Sequence, residues 1–288
     1  MMERFSFRKG HRSRAIFLVC DYVFQIVLMI IILIPLWKIF VDSIDSSSVG
    51  TRLFPREFNL AAYKVILSNP SMYGPFFISV LTTVLGTALG LAITTLGAYA
   101  LSKKSLPGGK IFGRIILVTM MFDGGMIATY LTYKNLGLMN NLFAVMLPVC
   151  ATAYNTILMR SFFEGLPQSL FEAASIDGCG SFGSFIRIAL PLSKPALASV
   201  GLFIAVAMWN NYMSFILYVT DAKLQNFQVK IRSMILEESL MSSSASQNVA
   251  SEMLKSATVI VVIIPFLFVY PFLQKHFTKG VTLGAIKG

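Results

Sequence analysis

The chain has 288 residues, of which 56% are hydrophobic and only 13% charged, and its mean hydropathy is +0.72. Soluble domains carry about 25% charged residues, so too little polar surface is left to cover a water-soluble fold; the composition is that of an integral membrane protein. Twenty-four Lys and Arg against thirteen Asp and Glu give a net charge of +11 and a pI near 9.7. In a membrane chain this excess reads as the basic bias of cytoplasmic loops, with no nucleic acid partner implied. Cys20, Cys150 and Cys179 are odd in number and scattered, which points to neither a disulfide framework nor a metal site.

A helix needs about 20 largely apolar residues to cross a bilayer, and six stretches qualify. In chain order they are Ala15 to Val41, Pro75 to Leu101, Ile111 to Tyr133, Leu142 to Phe163, Pro195 to Val219 and Ala257 to Leu273. The third is interrupted by Asp123-Gly124-Gly125, and glycine pairs inside a membrane helix mark bends or helix contacts. The first follows Arg4, Arg8, Lys9, Arg12 and Arg14; it is too long for a signal peptide and lacks a cleavage site, so it reads as a retained anchor with its N-terminus inside. The fold class expected is all-α, a single membrane domain over residues 1–288 with six transmembrane helices.

Charge gives the orientation. With both termini cytoplasmic, fifteen Lys and Arg fall inside and eight outside, with Lys38 at a helix end. The inside segments are then residues 1–14, the loops after the second and fourth spans, and the tail 276–288. The outer loops are residues 42–74, with the amphipathic pattern FNLAAYKVIL, and 220–256, with a helix-like QVKIRSMILEESL and the run Ser242-Ser243-Ser244.

The inner loop 164–194 is the most patterned part of the chain. Ser169 and Glu172 stand three apart, the spacing of a capping box, and open a short helix through Ala173, Ala174 and Ile176. Gly178 ends it by taking the left-handed conformation. Ser181 or Ser184 caps a second short helix, and Pro191 and Pro195 break the chain before the fifth span. The expected object is a pair of short helices joined by a glycine elbow, lying under the membrane.

Glu172-Ala173-Ala174, three residues, Gly178, nine residues, then Ile188-x-Leu190-Pro191 resembles the EAA motif of ABC importer permeases. The segment from Phe58 to Tyr63, the run FDGGMIATYL after Met121, WNNY at Trp209 to Tyr212 and the terminal KGVTLGAIKG are similar to the maltose-type carbohydrate group of that family. The sequence departs from the pattern at Cys179, where alanine is usual. The resemblance implies the type I importer permease fold. It also implies that Glu172, Ala173, Ala174, Asp177, Gly178, Ile188, Leu190 and Pro191 couple the chain to a cytoplasmic ATPase. The tail from Gly280 to Gly288 resembles one that reaches the ATPase dimer interface.

The sequence contains no GxxxxGK[ST] phosphate-binding loop, so no cofactor is expected on this chain; ATP and Mg belong to a partner ATPase subunit. The partners implied are two such ATPase subunits, a second permease subunit, an extracytoplasmic solute-binding protein, membrane lipid and an oligosaccharide substrate, in a bacterial cytoplasmic membrane. The candidates for the substrate pathway are Asp123 in the third span and Trp209, Asn210, Asn211 and Tyr212 in the fifth, since polar groups in a span are costly and amides suit sugar hydroxyls. Interhelical hydrogen bonding is the plainer reading of the same residues. His11 and His276 lie in basic ends and form no hydrolytic set, so the chain reads as a transport subunit with no catalytic residues. An importer permease for a non-sugar solute is the nearest alternative; a self-contained secondary transporter or channel would need an inverted repeat or charged relays, and neither is present.

Overall fold

Apolar runs with few breakers dictate helices, and helices are what the chain forms. The computed structural model describes residues 12–47, 52–122, 124–241, 252–265 and 267. Among them the only extended pairing is a single antiparallel bridge, Asp45 to Phe58. The chain divides into two compact units, residues 1–68 with 235–263, and residues 69–234 with 264–288.

In the first unit, α1 (Arg12–Ile44) runs 33 residues, and its stretch Ile16–Ile44 is long and apolar enough to cross a membrane. Ile26, Ile30, Leu33 and Ile34 are all exposed. A helix apolar on every side belongs in lipid or against another membrane chain. Beyond it the backbone turns back: Asn59 N–H donates to Ile44 O at 2.8 Å and Ser46 N–H to Glu57 O at 3.2 Å. Helix α2 (Ala61–Ser68) then lays Ala62 and Ile66 against Met253, Leu254 and Ala257 of a helix over residues 252–265.

Asp45 closes this turn. Its carboxylate accepts the Ser47 N–H (3.0 Å) and hydroxyl (2.7 Å), the Arg56 N–H (3.2 Å) and the Glu57 N–H (3.3 Å). Burial opposes the charge, but these four donors outweigh it and hold the carboxyl at about 2, below its ordinary 3.8. A lowered value means that the folded turn favours the ionised form. That stabilisation is complete above pH 3.8 and is lost as the pH falls through about 2. Trp37 reports the change, because its indole N–H donates to Leu53 O at 2.8 Å. In a Trp209→Phe background, Trp37 fluorescence is expected to shift between those two pH values and to stay flat there in Asp45→Asn.

The second unit is organised on α3 (Tyr73–Ser102), and Pro70–Ser102 is the second stretch long and apolar enough to cross. Every fourth residue on one face, Thr82, Gly86, Gly90, Thr94 and Ala98, is buried. Small residues let membrane helices approach closely, and here they admit α11 (Lys194–Trp209). Thr94 Oγ1 donates to Cys150 O at 3.3 Å, and the Cys150 thiol to Gly86 O at 3.4 Å, which ties α6 (Leu142–Cys150) to the same face. Gly201 of α11 in turn faces Leu91.

Three of the expected spans differ in shape from the sequence reading. The third is two helices, α4 (Gly109–Met121) and α5 (Gly125–Asn135), turned 118° from each other at the anticipated glycine pair. The fourth is α6 (Leu142–Cys150) and α7 (Ala153–Glu164), bent 43° where Thr152 accepts the Asn155 N–H. The fifth breaks at Asn210: α11 (Lys194–Trp209) is followed by α12 (Met213–Tyr218). Of the sixth, residues 257–265 and Leu267 are helical and the others lie outside the described residues. Hydropathy registers composition and not direction, and membrane helices tolerate breaks where protein groups satisfy the freed backbone.

Candidate functional site

The inner loop begins at α8 (Gln168–Ile176). The expected capping box is absent: Pro167, at φ −58° and ψ 121°, stands at the N-cap with no side-chain cap, and Ser169 is already the second helical residue. Proline pre-sets the entry angle and moves the helix start ahead of the serine. The C-terminal end is as expected. Gly178 has φ +75°, the Cys179 N–H donates to Ala174 O at 2.8 Å and the Gly178 N–H to Ser175 O at 3.1 Å. These are the paired 6→1 and 5→2 bonds of a Schellman motif.

The second short helix also departs from the reading. Gly180, and neither Ser181 nor Ser184, occupies the N-cap of α9 (Ser181–Ser184). A π-turn, Phe185–Ala189, follows and leads into α10 (Leu190–Leu192). The Leu190 N–H reaches back to Phe185 O. The stretch Ser181–Leu192 then meets Lys194–Trp209 at 82°, the break anticipated from Pro191 and Pro195. Ile188 and Leu190 are half-buried and Pro191 is exposed.

Helix α8 has two faces. Ala174 is buried and Phe171 half-buried, turned toward the protein. Glu172, Ala173 and Asp177 are exposed, with Leu170 and Ile176 beside them at 41% and 87% exposure. Leu170, Ala173 and Ile176 recur at helical spacing, so an apolar strip faces outward from a polar loop. Such an exposed strip marks a contact surface.

Sequence reasoning missed what holds α8 in place. Tyr99, near the end of α3, packs against Phe185 (4.9 Å between ring centres), Phe163 (5.6 Å) and Phe171 (6.4 Å). Its hydroxyl donates to Ser181 O at 3.3 Å. The Lys103 ammonium lies 4.4 Å from the Tyr99 ring centre and 4.1 Å from that of Phe171, within the range of cation–π attraction. These residues are scattered over more than 80 positions, and no local pattern links them.

A second polar cluster surrounds the break in the fifth span. Asn211 donates through Nδ2 to Val145 O at 2.9 Å and accepts the Ser214 N–H at 3.3 Å. Asn226 donates to Asn211 O at 2.9 Å and accepts the Val229 N–H at 3.0 Å, which starts α13 (Phe227–Met241). Asn210 is exposed, with its Nδ2 on Val206 O at 3.0 Å. Trp209 is buried, edge-on to Phe76. Tyr212 is half-buried beneath the Arg232 guanidinium, 4.7 Å from its ring centre. Four of the five pathway candidates thus lie in one turn, with Asn211 engaged in holding that turn; Asp123 lies outside the described residues.

A family model described as the binding-protein-dependent transport system inner membrane component matches residues 93–283, which include both clusters. The chain belongs to this family. The permease chain is 42% identical over 241 residues to the polygalacturonan/rhamnogalacturonan transport system permease protein YtcP of Bacillus subtilis, covering 82% of this chain and 84% of that one. It is 36% identical to protein LplC of the same organism, over 96% and 98% of the two chains. Among solved structures it matches a chain from the crystal structure of a bacterial ABC transporter involved in import of the acidic polysaccharide alginate. There the TM-score is 0.82 and the identity 30%, over 96% of this chain and all of that one. The permease fold and the transport role expected from the EAA string are therefore those of the family, and the chain is a multi-pass membrane component.

Proposed function

We propose that the chain is one of two permease subunits of an ATP-driven importer for oligosaccharides in a bacterial cytoplasmic membrane. It crosses six times with both termini inside, and substrate arrives on an extracytoplasmic binding protein. ATP and Mg act on two cytoplasmic ATPase subunits, and their closure reaches the membrane through α8. The observation that carries this reading is the outward strip of Leu170, Ala173 and Ile176 beside Glu172, held at a fixed angle by the Gly178 elbow. The carbohydrate transport role of several relatives supports the substrate class.

The test is reconstitution of the permease pair with its ATPase and binding protein in proteoliposomes. Uptake is expected to require every component. Glu172→Lys is expected to lower uptake at least about tenfold, the scale of a typical coupling free energy, with the complex still assembled. Uptake without the ATPase subunits would overturn the importer reading, and full uptake by Glu172→Lys would overturn the coupling role of α8.

A further inference from the structure

The beginning of α4 gathers positive charge that the fold itself does not offset. No Asp or Glu occurs between Ser102 and Leu117, whereas Lys103, Lys104, Lys110 and Arg114 do. Lys103 is engaged by the Tyr99 and Phe171 rings. Lys110, Gly113 and Arg114 stand three and four residues apart on α4, so they share one helix face. Arg160 of α7 is laid across that face: its Nη1 is 2.5 Å from where a Cβ on Gly113 would stand. The bare glycine backbone lets the guanidinium settle there and sets a third cation beside the other two.

One carboxylate serves all three. Arg160 Nε donates to Glu164 Oε1 at 2.8 Å, and the other ion pairs among the described residues are Lys38–Asp42 and Lys255–Glu252. Lys110 and Arg114 therefore have no acidic partner there. The basic bias of inner loops explains a number of cations. It does not explain their gathering on one helix face, with an arginine from a second helix pressed onto a glycine. Lys110 and Arg114 are exposed, and the Arg160 side chain is 32% exposed beside them with its Nη donors left over. The adjoining face of α4 shows Ile111, Ile115 and Val118, all exposed, at the spacing of an apolar stripe. Cations edged by an apolar stripe at the cytoplasmic end of a helix match a phospholipid with an anionic headgroup, and the cytoplasmic leaflet is where such lipids set the surface potential.

We propose that Lys110, Arg114 and Arg160 hold the headgroup of an anionic phospholipid of the cytoplasmic leaflet against α4 and α7, with its acyl chains along Ile111, Ile115 and Val118. The headgroup phosphate accepts from the arginine forks, while Glu164 keeps Arg160 over Gly113. The leaflet rests on the orientation proposed above; the binding site does not.

The experiment uses the complete complex of both permease chains with the ATPase, purified in a mild detergent, and reads bound phosphatidylglycerol or phosphatidylcholine by native mass spectrometry. Wild type is expected to prefer phosphatidylglycerol. Lys110→Gln combined with Arg114→Gln is expected to weaken phosphatidylglycerol binding about thirtyfold, the scale of two cations at an anionic surface, and to leave phosphatidylcholine binding unchanged. Gly113→Ala keeps every charge but displaces the guanidinium, and is expected to weaken phosphatidylglycerol binding severalfold. Arg187→Gln combined with Lys194→Gln removes two exposed cations of the other inner loop and is expected to bind as wild type does. An equal loss in that control overturns the proposal, because diffuse charge then attracts the lipid. So does wild-type binding by the Lys110 and Arg114 double variant. Glycerol phosphate, a headgroup without tails, is expected not to compete; full competition overturns the lipid in favour of a soluble anion. Should the double variant fail to assemble, Gly113→Ala decides the same point, and wild-type binding by it overturns the seat of Arg160. Binding is read here without transport, so a negative result leaves the importer reading standing. Reaction of Lys110→Cys with an impermeant thiol reagent from outside sealed cells, above that of wild type, overturns the leaflet through the orientation alone.

Discussion

Gly90→Val is expected to lower the stability of the chain by about 3 kcal/mol, the upper end for overpacking a tight interface. A Cβ on Gly90 would stand 3.1 Å from Ile204 Cδ1 and 3.2 Å from Cys150 Cα. The second contact is backbone, tied to α3 by the Thr94 hydroxyl on Cys150 O, so it cannot yield without moving α6. The comparison with Gly86 sharpens the claim. A Cβ there would be nearer still to another atom, 2.6 Å from Met208 Cε, but a methionine end is flexible and swings aside. Alanine also favours a helix over glycine by about 0.5–1 kcal/mol, so Gly86→Ala is expected to be close to neutral. Thermal unfolding of the detergent-solubilised chain should rank Gly90→Ala below Gly86→Ala, the reverse of the order given by distance alone. The opposite ranking would show that Met208 is the rigid neighbour.

The second large effect is at Gly178. Its φ of +75° lies in the region that side chains rarely adopt, and nothing stands within 4 Å of its Cβ position. Substitution there is therefore a backbone question with no clash to confuse it. Left-handed geometry costs an ordinary residue about 1–2 kcal/mol, more for a β-branched one, whereas asparagine tolerates it. Gly178→Val is expected to lose the paired bonds from Gly178 and Cys179 to the end of α8 and to lower transport at least about tenfold, with ATPase activity no longer tied to uptake. Gly178→Asn is expected to stay near wild type. If valine and asparagine transported equally, the elbow would have no part in coupling.

Much of this was legible in the residues. The membrane class followed from charge fraction, and the EAA string placed α8 and its glycine elbow because a left-handed C-terminus has one strongly preferred residue. The N-terminal cap failed because Pro167 competes with Ser169 for the same role, and spacing alone cannot rank a serine against a proline two positions earlier. The breaks at Ala151–Thr152 and Asn210–Tyr212 failed for another reason: apolar runs continue across them, while the hydrogen bonds that make them tolerable come from residues such as Asn226, far along the chain. Tyr99 and Lys103 were invisible for that same reason, since their meaning lies in rings brought together from four separate elements.

Tyr99 is one end of a longer arrangement. Twenty residues earlier on α3, Ser79 accepts the backbone N–H of Phe227 at 2.9 Å, where α13 begins. At 1.5 Å per residue the two grips are about 30 Å apart on one continuous helix. A rod held at both ends cannot shift at one without carrying the other, so the aromatic seat of α8 and the start of α13 are mechanically joined through α3, with the tightly packed contact at Gly90 near its middle.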